Sequence, residues 1–141
     1  MLKILQARSK KGIMDHFRVR GQVFILEQAV SWEEEFDSWD DSATHFNAIL
    51  NGVVVGAARL YKNKVGRVAV LSPYRTLGIG QALMQTIERH AKKQGIKTLE
   101  LGAQIQVQGF YERLGYEPYG ERFMDANIEH IMMRKKVNHG H

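Results

Sequence analysis

Residues 64–93 read KVGRVAVLSPYRTLGIGQALMQTIERHAKK, and this stretch decides the fold. Val65, Val68, Ala69, Val70 and Leu71 form a short apolar run that predicts a buried strand. Ser72-Pro73 breaks it. From Gly80 onward, Ala82, Leu83, Ile87 and Ala91 recur at helical spacing, with Gln81, Gln85, Glu88, Arg89, Lys92 and Lys93 mostly on other faces. Gly95 stops the helix. Between strand and helix sits Arg75-Thr76-Leu77-Gly78-Ile79-Gly80.

That loop suits an anion. The first turn of a helix carries N–H groups with no internal partner, and the helix dipole adds partial positive charge. Glycine permits close approach of a phosphate, and Arg75 adds a formal charge beside it. The Walker loop is excluded because Gln81 follows Gly80 where Lys is needed. The dinucleotide fingerprint is excluded because Leu83 holds the place of its third glycine. On the glycines alone, a plain tight turn explains the loop as well as a phosphate site does.

R-x-x-G-x-G between a strand and a helix resembles the acetyl-CoA loop of the GCN5-related N-acetyltransferases, the GNAT superfamily. A second segment stands where that family would have it. Gly109-Phe110-Tyr111-Glu112-Arg113-Leu114-Gly115-Tyr116 is similar to the F-Y-x-x-L-G-F/Y segment of its last helix. The early V-F-x-x-E-Q, the acidic residues after it and a histidine heading a strand resemble the small bacterial ElaA/YjcF-like branch. The matching residues are Arg20, Val23, Phe24, Glu27, Gln28, Glu35, Asp37, Asp40 and His45. The D-A-N-I-E-H-I-M-M-R-K segment around His130 resembles the ending of the same branch. The resemblance implies an α/β fold with a mixed, mostly antiparallel sheet flanked by helices. It covers residues 1–136 as one domain, with 137–141 as a polar tail.

Composition agrees with an ordinary soluble domain. The chain has 141 residues, 44% hydrophobic and 25% charged, enough for a sizeable core. Cysteine is absent, which excludes disulfides, thiolate metal sites and a cysteine nucleophile. No run predicts a membrane span and no signal-peptide core is legible, so a cytoplasmic location is the default expectation. The net charge is +5, yet Glu33, Glu34, Glu35, Asp37, Asp40 and Asp41 crowd one stretch. The basic residues are scattered along helix faces rather than interleaved with aromatics, which argues against nucleic acid.

Along the chain, Leu2 to Ala7 predicts a strand. Ser9 predicts a helix cap, with Ile13, Phe17 and Phe24 toward the core. Thr44 to Leu50 and Val53 to Tyr61 predict a hairpin around Asn51-Gly52, with a bulge marked by Gly56. Lys97 to Ala103 predicts a strand, Val107 to Leu114 a short helix, and Tyr116 to Met124 with Ile128 to Lys135 a closing hairpin. His139 and His141 in the tail carry no metal expectation.

The resemblance assigns roles to particular residues. The central strand and the 97–103 strand run parallel and splay apart, with pantetheine in the gap. The backbone around Val68, Ala69 and Val70 would bond its amides. Amides of Leu77, Gly78, Ile79, Gly80 and Gln81, beside Arg75 and Thr76, would hold the pyrophosphate. Phe110 borders the cofactor, and Gln104 stands where many members carry Asn. Tyr111 would protonate the leaving thiolate, and the Val70 N–H would polarise the thioester carbonyl. The strand segment Arg67 to Leu71 lacks the acidic residue that many members use as base. Glu27 is the leading substitute, acting directly or through a water. His45 and His130 are others, and a plain structural role stays open for each. An acidic rim from residues 33–41 would draw in a cationic amine, unless it is simply a solvated run.

The expected reaction is acetyl transfer from acetyl-CoA to a primary amine of a small molecule, without a metal. The resemblance leaves a homodimer open. Two alternatives accompany this reading: a non-catalytic acyl-CoA sensor of the same fold, and an acyl-homoserine-lactone synthase-like acyltransferase.

Overall fold

The computed structural model describes residues 1–138. One seven-stranded sheet runs through it in the order β1-β2-β3-β4-β5-β7-β6. β1 is Leu2–Gln6, β2 Thr44–Leu50, β3 Val53–Tyr61 and β4 Lys64–Val70. β5 is Thr98–Gln104, β6 Glu117–Asp125 and β7 Ile128–Lys136. Every neighbouring pair is antiparallel except β4 and β5. The helices are α1 (Lys10–Arg20), α2 (Trp32–Glu35), α3 (Ile79–Lys93) and α4 (Gln108–Arg113). A π-helical turn over Gly21–Glu27 extends α1.

Local chemistry sets these elements. The Ser9 hydroxyl accepts from the Gly12 N–H and starts α1. Asn51 and Gly52 take φ of 50° and 85°, and Ala126 and Asn127 take 51° and 61°. Both pairs have the positive φ values of the tight hairpin turns that match strand twist. Gly95, at φ 78°, ends α3.

α3 crosses one face of the sheet and buries Ile79, Leu83, Met84, Ile87 and Ala91 against Phe46, Val55, Leu99 and Leu101. Each large apolar side chain removed from water there contributes about 1.5–3 kcal/mol. Gly56 is where helix and sheet meet most closely. A Cβ on it would lie 3.0 Å from Ala48 Cβ and 3.1 Å from Ile79 Cγ2. The β2–β3 register slips beside it, Ala48 facing Gly56 and Ile49 facing Val54, so the expected bulge is present.

α1 packs on the other face, and here the expectation needs correction. Ile13, Phe17 and Phe24 are only half-buried, while His16, Val19, Arg20 and Val23 are buried. Polar residues take the inner face because the segment 35–40 folds over α1 and supplies their partners. Val137 and Asn138, expected in the polar tail, are tied to the fold. Val137 is buried, and the N–H groups of Val137 and Asn138 both donate to the Lys97 carbonyl. His139 and His141 lie outside the described residues.

The feature that positions the site is a second bulge. Ala57 faces Ala69 and Arg59 faces Gly66, so Arg67 and Val68 together oppose Ala58. Arg67 sits at φ 55°, a conformation costly for a side chain this size. β4 and β5 pair only at Lys64–Glu100 and Val65–Leu101. Beyond these residues the two strands part.

Candidate active site

A cleft of about 610 Å³ opens where β4 and β5 separate, on the α1 side of the sheet. Leu71 N–H bonds the Val55 carbonyl and Ala69 faces Ala57, so alternation turns the backbone of Val68 and Val70 toward the gap. The Val70 carbonyl already accepts from Arg75 Nε at 2.8 Å.

At one end of the gap stands the N-terminus of α3. Gly78, at φ 73°, precedes its first residue with no side-chain cap, and the Ala82 N–H closes back on the Gly78 carbonyl. The N–H groups of Ile79, Gly80 and Gln81 therefore have no partner within the helix. Arg75, Thr76, Leu77 and Gly78 are exposed around them. A Cβ at Gly80 would lie 3.2 Å from Phe110 Cζ, so the loop is pressed against α4.

Arg75 does not reach into this anion cradle. Its guanidinium is turned to Glu27, Nη1 at 2.6 Å and Nη2 at 2.7 Å from the two carboxylate oxygens. The pair joins the end of the π-helical turn to the cofactor-side loop. The Arg75 hydrogen bonds hold the Glu27 carboxyl below its ordinary range, against a weaker opposing effect of burial. Glu27 lines the cleft, but as a paired carboxylate it is a poor proton acceptor.

Tyr111 projects from α4 into the cleft at 7% exposure, its ring edge-on to Phe110 and Tyr116. Burial pushes its phenol well above the ordinary value, so the hydroxyl keeps its proton near neutrality. No hydrogen bond from the described residues engages that hydroxyl, and no fully buried side-chain polar atom among them lacks a partner. The hydroxyl therefore opens to the cleft.

Gln104, at the end of β5, donates to Gln28 Oε1 at 2.8 Å and so bridges the two walls. His130 faces Gln104 across the β5–β7 ladder, lines the cleft, and stacks on Phe123. Its Nδ1 lies 2.6 Å from the Ile128 carbonyl. A carbonyl only accepts, so Nδ1 carries a proton, and the lone pair of the neutral ring is on Nε2.

The structure does not bring His45 to the cleft. It is buried beneath α1, with Nδ1 3.0 Å from His16 Nε2 and Nε2 3.0 Å from the Asp40 carbonyl. It belongs to a polar cluster that also takes up Glu35, Asp37 and Asp40 of the expected acidic rim, while Glu33, Glu34 and Asp41 stay exposed. Arg20 Nε donates to Glu35 at 2.8 Å and Arg20 Nη1 to Asp40 at 2.8 Å. Arg59 bonds Asp37 and Asp40, and Arg67 bonds Asp37 and the Glu34 and Glu35 carbonyls. Burial pushes the Asp40 carboxyl up, but Arg20 and Arg59 outweigh it and hold it below the carboxylate range. Glu35, Asp37 and Asp40 thus face arginines rather than an incoming amine.

Arg20, Arg59 and Arg67 organise this cluster, and sequence reasoning assigned none of them that part. A signal existed for Arg67, a charged residue inside an apolar strand run. No local signal pairs Gln28 with Gln104, 76 residues apart.

The buried histidines make stability pH-dependent. Burial, with help from His45 and Arg20, lowers His16 to about 3. Unfolded, it takes up a proton near 6.5. The unfolded state binds more protons between those values, so stability falls as pH drops from 6.5 toward 3. The slope attributable to His16 is at most about 1.4 kcal/mol per pH unit. Urea unfolding of wild type and His16→Gln across pH 7 to 4 is expected to show a shallower slope in the variant. Equal slopes would remove His16 from this account.

Comparison with known proteins agrees with this geometry. Residues 4–137 match the family model described as an acetyltransferase (GNAT) domain. The uncharacterized N-acetyltransferase YjcF of Bacillus subtilis is 34% identical, covering 95% of this chain and 99% of its own length. The crystal structure of Escherichia coli ElaA superposes with a TM-score of 0.84 at 27% identity, covering 96% of this chain and all of that one. An acyl-CoA N-acyltransferase from Pseudomonas aeruginosa superposes at 0.83 with 25% identity, over 96% and 98% of the two chains. The splayed β4–β5 pair, the uncapped α3 and a match over nearly the whole chain lead to one conclusion: this chain belongs to the GNAT acetyltransferase family, as an acyltransferase of the branch that holds YjcF and ElaA.

Proposed function

We propose that this chain transfers an acetyl group from acetyl-CoA to a primary amine of a small molecule, by direct attack in a ternary complex. The observation that carries the reading is the alignment of three features along one gap. These are the uncapped N-terminus of α3, the unpaired inner edge of β4, and the Tyr111 hydroxyl. Diphosphate suits the first and pantetheine amides the second. Thioester sulfur would then lie beside the third.

In the reaction the amine nitrogen attacks the thioester carbon and the C–S bond breaks. The Tyr111 hydroxyl protonates the departing sulfur, and the amine gives up a proton. His130 Nε2 is the preferred acceptor for it, because Glu27 is bound to Arg75 and His45 lies outside the cleft. The Val70 N–H is directed at the gap as a donor to the developing oxyanion.

The test is calorimetric titration of acetyl-CoA and free CoA into wild type and Gly80→Glu, with circular dichroism to check folding. The glutamate would press on Phe110 and put negative charge into the anion cradle. Wild type is expected to bind both ligands, and the folded variant to lose at least about a hundredfold in affinity. No binding by wild type would sink the proposal. Binding with no turnover of any amine would favour the non-catalytic acyl-CoA module.

A further inference from the structure

The charge in the cleft is arranged differently from what the acidic run suggested. Its carboxylates at 35, 37 and 40 are consumed by arginines, as described above. A cation is left with unused donor capacity on the cleft wall. Arg67 donates through Nε and Nη2 and is ion-paired with Glu35 at 3.3 Å and Asp37 at 3.2 Å, but its Nη1 has no hydrogen-bond partner among the described residues. That nitrogen keeps accessible surface, since no fully buried polar side-chain atom among the described residues is unpartnered. Arg67 lines the cleft, and the guanidinium is fixed by its other bonds, so Nη1 is pre-oriented.

Lys64 is a second cation on the same wall. Val65 packs into the α3-side core and Ala69 into the α1-side core. Lys64 lines the cleft on the α1 side, and the bulge at Arg67 and Val68 keeps Arg67 on that side too. Lys64 Nζ lies 5.3 Å from the Trp39 ring centroid, and no carboxylate of the described residues is within ion-pair distance of it. Its field reaches Glu100, whose carboxylate is engaged by Tyr119 and Asn63. Opposing charge is present: Glu34 and Asp125 also line the cleft, Glu34 accepting from the Ser31 hydroxyl. These two are ordinary solvated carboxylates at the rim, whereas Arg67 Nη1 is a fixed donor.

We infer that the acceptor amine carries an anionic group, a carboxylate or a phosphate, which Arg67 Nη1 binds with Lys64 in support. The strained backbone at Arg67 is consistent with a functional demand, because an extended residue there would turn the guanidinium to the opposite face. The inference rests on the acetyl-transfer reading and names its substrate class. It also disfavours polycationic amines as acceptors, since they lack the anionic group that Arg67 Nη1 would bind.

The test is a thiol-release assay with acetyl-CoA and matched acceptors. One series is ω-amino acids, the second their carboxamides, the third aminoalkyl phosphates of equal length, and a polyamine is included. The enzymes are wild type, Arg67→Gln and Lys64→Gln. Wild type is expected to favour one anionic series over the carboxamides by about tenfold to hundredfold in kcat/KM, the span of one charged hydrogen bond. Which anionic series leads identifies the group. Arg67→Gln should erase most of that preference, through KM, and Lys64→Gln part of it. Lys64 is exposed, so its variant gives a reading even where Arg67→Gln loosens the fold. Equal or better use of carboxamides, preferred use of the polyamine, or a preference untouched by both substitutions would overturn the inference. Those outcomes with intact acetyl-CoA binding would spare the acetyl-transfer reading; absent binding would end both.

Discussion

Tyr111→Phe is expected to lower kcat by about 10²–10⁴ while leaving the calorimetric affinity for acetyl-CoA within about threefold, the usual worth of a positioned acid in the transition state. The reason is local. The ring is 93% covered and wedged between Phe110 and Tyr116, so the phenylalanine ring fills the same space and the fold is undisturbed. Only the hydroxyl is lost, and it engages none of the described residues, so no partner among them is stranded by its removal. Burial keeps that hydroxyl protonated at neutral pH, the state a donor to a thiolate needs. A variant with unchanged kcat would take the acid role away from Tyr111 and return it to packing. Acyl donors whose thiolate leaves without help would show a smaller loss, so a thioester with a more acidic thiol serves as a control.

Arg20→Leu is expected to cost about 3–5 kcal/mol of folding stability, the usual loss when one member of a buried ion network is removed. Arg20 is fully buried and holds four acceptor contacts on Glu35 and Asp40, with a fifth contact to His16. A leucine fills part of the volume but leaves two buried carboxylates short of a counter-charge. Asp40 keeps Arg59 and Glu35 keeps Arg67, so the loss falls short of complete unpairing. Against a total of about 5–15 kcal/mol for a domain, that is a large share. Urea unfolding would measure it, with Arg20→Lys beside it. Lysine keeps the charge but not the planar fork that spans both carboxylates, so it should recover less than half. A loss below about 1 kcal/mol for Arg20→Leu would show that the cluster holds without its central guanidinium.

The same cluster explains why part of the site was illegible. The run Glu33 to Asp41 reads as surface because six acids in nine residues have no partners nearby in sequence. Their partners Arg20, Arg59 and Arg67 lie on α1, β3 and β4, and only the sheet brings them together. Pairing then neutralised three of the acids expected to make the cleft negative. The cofactor-side elements were legible because strand, glycine loop and helix are contiguous. Even there the sequence suggested a free Arg75, whereas Glu27 holds it from 48 residues away.

The three histidine and carboxylate candidates for the base divide for the same reason. Residue type alone left all three eligible, with Glu27 in the lead. His45 and His130 both sit on strands, but β2 lies on the far side of the sheet order from the gap and β7 borders β5. Strand order is a property of the packed sheet, not of a histidine's neighbours in the chain.

By itself the sequence determined the alternation of elements, the positions of the hairpin turns, the anion-suited loop at Arg75 to Gly80, and the family. These depend on residues close together in the chain, whose propensities and spacing act before any tertiary contact forms. Only the tertiary structure decided the bulge that splays β4 from β5, the pairing of Glu35, Asp37 and Asp40 with distant arginines, and which side chains face the cleft. Those outcomes depend on long-range pairing energies, where a charge is stabilised or stranded according to what the rest of the fold sets against it.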